Sequence, residues 1–112
     1  MIETTLSVLA TMIFFHYLAD YPLQGDFIAR AKNKFASIEG VPWYQAMSAH
    51  CFIHAFLVWF ITGLWILFVA EFVLHWVTDY YKCKGVLNFN QDQYIHLTSK
   101  LLYALVFAFY VL

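Results

Sequence analysis

From Gln45 to Tyr81 the chain is an almost unbroken apolar stretch, and no other feature limits its fold as strongly. Wound as one α-helix at 1.5 Å per residue, the stretch would be about 55 Å long, nearly twice the hydrocarbon thickness of a bilayer. It has to fold back on itself. Thr62-Gly63 is the one pair inside it with turn character. A turn there leaves two helices of about 17–18 residues each, at the short end of what spans a membrane.

A bilayer is the solvent to consider because 63% of the 112 residues are hydrophobic, 21% aromatic and only 12% charged. The mean hydropathy of +0.68 lies far outside the range of soluble domains. These values predict an integral membrane protein with a single transmembrane domain, residues 1–112; no linker, low-complexity tract or fixed-period repeat divides it. A net charge of -1 gives no basis for a nucleic-acid partner. Cys51 and Cys83 are too few and too differently placed for a disulfide framework, and both are expected as free thiols, Cys83 in a loop.

Two more apolar segments flank the central stretch. The first, from about Thr5 to Tyr21, is preceded by Glu3 rather than a basic cluster and ends in His16 and Asp20 rather than a small-residue cleavage site. It is therefore expected to be a retained helix and not a signal peptide, closed by Pro22, which disfavours helical geometry in the residue before it. The last runs from about Asp92 to Leu112, entered from an Asn88-Phe89-Asn90 turn. The predicted fold is all-α: an integral membrane four-helix bundle with short transmembrane helices at about 5–21, 45–62, 64–81 and 92–112. A polar connector, Gln24 to Val41, follows the first helix, and the roughly helical spacing of Phe27, Ile28, Ala31 and Phe35 predicts a short helix along the membrane surface. Trp43-Tyr44 suit an interfacial anchor.

Five of the six basic residues, Arg30, Lys32, Lys34, Lys82 and Lys84, fall after the first and third helices, which four crossings put on one side. The positive-inside rule then predicts a multi-pass plasma-membrane (inner-membrane) protein with both connectors cytoplasmic and both termini outside. Lys100, inside the fourth segment, is left to snorkel or to pair with an acid.

Against this topology the polar residues form a pattern. His16/Asp20, His50/His54, His75/Asp79 and Asp92/His96 supply one pair per helix, each spaced i,i+4 and so on one helical face. Helix direction puts all four pairs in the cytoplasmic half, at comparable depth, and every histidine belongs to the set. A lone histidine in a membrane helix commonly just hydrogen-bonds a carbonyl. Five histidines with four acids, the three aspartates of these pairs and Glu71 a turn deeper, do not fit that reading, because ionisable groups in spans are costly and tend to face the interior. Neutral imidazoles and carboxylates are ligands of zinc, manganese and iron, and a cation offsets the cost of keeping carboxylates ionised in a low dielectric. The candidate ligands are His16, Asp20, His50, His54, Glu71, His75, Asp79, Asp92 and His96, more than one tetrahedral ion needs. One or two divalent ions are expected, zinc foremost with manganese or iron as alternatives. The surplus would be outer partners or a general base, for which Asp20, Asp79 and Asp92 are the candidates. Glu71 lies deepest and fits an orienting role at least as well as a ligand's.

The run His16-Tyr-Leu-Ala-Asp20-Tyr-Pro-Leu-Gln24, with Lys34, His50-x3-His54, His75-x3-Asp79-x2-Lys82 and Asp92-Gln93-x2-His96, resembles a family of small bacterial and phage integral membrane proteins, domain of unknown function 3307. The resemblance spans most of the chain and adds Gln24, Lys34, Lys82 and Gln93 to the candidate binding residues. In its His/Asp pairs on short helices the chain is also distantly similar to membrane-bound metal-dependent hydrolases.

Three functions follow as expectations. The first is a metal-dependent hydrolase acting at the cytoplasmic face on a phosphate- or ester-containing lipid or headgroup, with Lys34 or Lys82 binding the anion. The second is a non-catalytic interaction module stapled by a metal or a hydrogen-bonded core. The third is a di-iron-type redox protein. Membrane lipids are the expected partners throughout, and the short helices are compatible with a homo-oligomer. Transport is disfavoured, since Phe56–Leu67 and Tyr103–Leu112 offer an ion almost nothing to follow.

Overall fold

Apolar runs set the helices of this chain, and glycine, proline and side-chain caps end them. In the computed structural model, which describes residues 2–111, the elements are α1 (Ile2–Asp20), α2 (Gly25–Ala31), a 3-10 turn (Lys34–Ala36), α3 (Trp43–Thr62), α4 (Trp65–Lys84) and α5 (Phe89–Val111). The described residues contain no strand. Among the described residues the fold is all-α, with five α-helices rather than four; the additional one is the short α2 in the connector, where helical spacing predicted it.

The fold-back occurs at Thr62-Gly63. Gly63 adopts φ 73° and donates its N–H to the Trp59 carbonyl at 2.6 Å. That left-handed conformation costs a glycine little, which is why the helix stops there. Thr62 Oγ1 accepts the Leu64 N–H at 3.3 Å and so ties the two helices across the turn. Elsewhere the expected boundaries shift by up to about a turn, for local reasons. α5 starts at Phe89, not Asp92, because Asn88 and Gln91 cap each other: the Gln91 N–H donates to Asn88 Oδ1 at 2.8 Å and the Asn88 N–H to Gln91 Oε1 at 2.9 Å. α4 continues through Lys84, so Cys83 lies in its last turn and not in a loop; Lys82 and Lys84 there complement the negative end of the helix dipole. α1 starts at Ile2 with Glu3 in its first turn, and α3 at Trp43 directly after Pro42. Leu112, the expected end of the last helix, and Met1 lie outside the described residues.

α3 packs most extensively on α4, α1 lies against both α3 and α5, and α4 closes on α5. The molecule is 49 Å long and about 23 Å across. Its outer surface is apolar: Trp65, Val69, Val73, Val77 and Tyr81, spaced by four, form an exposed stripe down α4, while Glu71, His75 and Asp79 on the same helix are buried. Polar inside and apolar outside is the arrangement a lipid environment selects. α1, α3 and α5 are long and apolar enough to cross a membrane; α4, with Glu71, Asp79, Lys82 and Lys84, falls outside that description. The interior has two halves. Toward the Gly63 turn Met12, Val58, Leu67, Tyr103 and Ala104 make an apolar core. The half next to α2 is filled by the histidines and acids.

Candidate metal centre

Each helix delivers its pair to this layer as the i,i+4 spacing requires. His16 and Asp20 come from the last turns of α1, His50 and His54 from α3, His75 and Asp79 from α4, and Asp92 and His96 from the start of α5. The five imidazoles are 2% exposed or less. The Asp20 side chain, more open than the imidazoles, is 8% exposed.

All five rings turn Nε2 inward. Asp20 Oδ1 lies 2.8 Å from His54 Nε2 and 3.1 Å from His50 Nε2. His50 Nε2 lies 3.2 Å from His75 Nε2, which is 3.7 Å from Asp20 Oδ1. One atom from each of these four residues fits within 4.8 Å of all the others. Zinc–ligand bonds of about 2.0–2.1 Å at tetrahedral angles put ligand atoms roughly 3.3 Å apart, and the measured edges bracket that length. Glu71/His75/His96 and Asp20/Asp92/His96 are two smaller groups whose ligand atoms lie equally close to one another. Asp79 sits between the histidines, with Oδ2 3.4 Å from both His50 and His75 and Oδ1 3.3 Å from His96. The rings of His54, His75 and His96 stack, with centroids 3.8 and 4.0 Å apart.

The protons are set from below. Lys100, 1% exposed, donates to both oxygens of Glu71 at 3.0 Å. The ammonium keeps that buried carboxylate an acceptor, and Glu71 Oε1 lies 3.0 Å from His75 Nδ1. A neutral His75 therefore carries its proton on Nδ1 and aims a bare Nε2 lone pair at His50 and the carboxylates. This is the carboxylate–histidine relation that orients metal-binding imidazoles. Glu71, which had no evident counterpart in the sequence, has one in Lys100, so the lysine pairs with an acid rather than snorkelling. Beside His16, His54 and Lys100 a crevice of about 10 Å³ has room for roughly one water.

The remaining candidates divide. Gln93 clamps the layer: its Nε2 donates to Asp20 Oδ2 at 2.9 Å and Asp92 Oδ2 at 3.3 Å, and its Oε1 lies 3.0 Å from His16 Nε2. Gln24 reaches only the backbone carbonyl of Asp20, at 3.0 Å. Lys82 stands at the rim, 3.8 Å from Asp92 Oδ2 and over the Phe89 ring. Lys34 is not brought to the layer; it is exposed, its Nζ 5.7 Å from the Trp43 ring centre and 5.8 Å from that of Tyr80. Its neighbour Lys32 enters instead, buried, donating to Asp79 Oδ2 at 2.6 Å. Burial alone would lower the Lys32 pKa, but the Asp79 charge and hydrogen bond override it and raise it above the ordinary lysine value. In sequence Lys32 looked like one more connector cation, and only its one-turn offset from Ile28 on the apolar face of α2 marked it for burial.

Comparison with protein-family models, with curated proteins and with solved structures gives no match to this chain.

Proposed function

We propose that the chain is an integral membrane metalloprotein, a four-helix membrane bundle in which Asp20, His50, His54 and His75 hold a divalent ion, zinc foremost. One observation carries the reading: three imidazole Nε2 atoms and a carboxylate oxygen from three helices converge with the edge lengths of a tetrahedral ligand set. An orphan charge supports it. Asp20 has no lysine within ion-pair distance among the described residues, so its carboxylate, 8% exposed, lacks the fixed cation that Asp79 and Glu71 each have. For the bundle, the support is that α4's buried acids are paired inward while its exposed stripe is apolar. For orientation, it is that the layer shares its end of the molecule with Arg30, Lys32, Lys34, Lys82 and Lys84, which the positive-inside rule puts in the cytoplasm. Membership of the family of domain of unknown function 3307 belongs to the same proposal and rests on the motifs that carry the resemblance.

The use we assign to the ion is hydrolysis of a phosphate or ester bond in a lipid or headgroup at the cytoplasmic face. A zinc ion held by these four side chains would activate a water near neutral pH only by taking it as a fifth ligand. Asp79 or Asp92, where no second ion engages it, would take the proton, and Lys82 at the rim is available to an anionic headgroup. The test is release of phosphate or fatty acid from a panel of lipids by zinc-loaded protein in vesicles. Activity that disappears in a folded His75→Ala variant supports the hydrolase, and an intact, metal-loaded protein inert to the whole panel overturns it.

The closure of the layer favours a second reading, a non-catalytic module stapled by its metal. Chelation separates the two, since a staple melts the bundle when the ion leaves, whereas the hydrolase loses activity with its helices intact.

A further inference from the structure

Asp20 and Asp79 each turn their two oxygens toward different partners. Asp20 Oδ1 faces His50 and His54 at 3.1 and 2.8 Å, while Oδ2 faces the α5 side, where the Gln93 amide donates to it at 2.9 Å. Asp79 Oδ2 faces His50 and His75, and Oδ1 faces His96 at 3.3 Å. On that α5 side Asp92 Oδ1 lies 3.2 Å from His96 Nε2 yet accepts no hydrogen bond, although the residue is only 1% exposed. A buried carboxylate oxygen without a donor is costly, and this residue is gathered with the His96 ring nitrogen and the Asp20 carboxylate.

Deepening the metal-centre reading on which it rests, we infer that the layer is built for two divalent ions. The first occupies the Asp20/His50/His54/His75 set. The second is held by Asp92 and His96, and Asp20 and Asp79 give one oxygen to each ion. Atoms of Asp20, Asp92 and His96 already lie within 4.8 Å of one another. Carboxylates presenting one oxygen to each of two groups are what ions about 3.5–4 Å apart require. A second dication also answers the crowding of Asp20, Asp79 and Asp92, which Lys32 and the rim residue Lys82 balance only in part. Lys32 keeps its hydrogen bond, because a carboxylate oxygen has two lone pairs. His16 is not a ligand here: its Nε2 is engaged by Gln93 Oε1.

The two positions differ in chemistry. Three imidazoles suit zinc, whereas three carboxylates and one imidazole suit a harder ion such as manganese(II). The experiment is loading of the full chain in detergent with manganese alone, followed by the metal-to-chain ratio and the electron paramagnetic resonance spectrum. Two ions per chain with an exchange-coupled spectrum are expected, falling to one ion with an isolated-ion spectrum in Asp92→Asn and, as a second variant, in His96→Gln. A wild-type chain that takes one isolated ion overturns the second site and leaves the first standing. A chain that takes none overturns both, and two coupled ions persisting in folded Asp92→Asn and His96→Gln would overturn the ligands assigned.

Discussion

His50 and His75 point their Nε2 atoms at each other across 3.2 Å. The Glu71 carboxylate claims the proton of a neutral His75 at Nδ1, so that ring presents a lone pair, and Asp20 and Asp79 crowd the same point with further acceptors. An Nε2–H of His50 can satisfy one of these acceptors at a time, whereas a cation among them would answer all of them at once. Asp20→Asn should therefore weaken zinc binding more than it weakens folding.

Removing the ligand and removing its support should have separable effects. Glu71→Gln loses the charge that fixes the His75 tautomer and is expected to lower zinc affinity by about 10–100-fold, the usual cost of an outer partner. His75→Ala should cost more than that. Competition with a chelator of known affinity measures both, and an unchanged affinity in Glu71→Gln would refute the tautomer assignment.

The Glu71–Lys100 pair is fully buried, so breaking it on one side strands a charge. Lys100→Met is expected to destabilise the bundle by about 3–5 kcal/mol, and Glu71→Gln/Lys100→Met to recover most of that loss. Reversible denaturant unfolding in detergent gives both values. A double variant no more stable than Lys100→Met would argue against a charge-pair origin.

Lys32 makes the stability of the connector depend on alkaline pH. Its pKa in the fold lies above the ordinary value of 10.5 because of Asp79. The stabilisation is thus fully present below that ordinary value and is lost as pH rises through the higher folded value. Melting temperature followed from pH 9 upward should show an alkaline decline in the wild type that is shallower in Lys32→Met.

The two native cysteines report topology without engineering. Both are free; Cys51 is buried beside the histidine layer, and Cys83 is partly exposed at the end of α4. A membrane-impermeant maleimide should modify Cys83 only after the membrane is permeabilised, and Cys51 only after unfolding. Labelling of Cys83 on intact cells would reverse the proposed orientation.

Much of the site could be read from the residues, because i,i+4 spacing puts a His/Asp pair on one face of any helix, whatever packs against it. The Gly63 turn and the connector helix were legible for equally local reasons, glycine in one case and the Ile28/Ala31 periodicity in the other. The start of α5 was missed although its Asn88-x-x-Gln91 signal lay in plain view. Lys32 and Lys100 were not legible as partners. Their acids lie 47 and 29 residues away in sequence, and no local rule selects Asp79 over Asp20, or Glu71 over any other buried acid.

The sequence by itself determined the apolar exterior, most of the helix bounds and the register of each polar pair, since composition and periodicity act within one helix or on the whole chain at once. Only the tertiary structure decided which way each ring turns and which acid meets which base. It made Glu71 the partner of Lys100 and His75, gave Asp79 to Lys32, and left Asp20 without a lysine partner among the described residues. Those assignments depend on how the helices rotate against one another, and in a buried, low-dielectric layer a few ångströms decide which acid a lysine reaches.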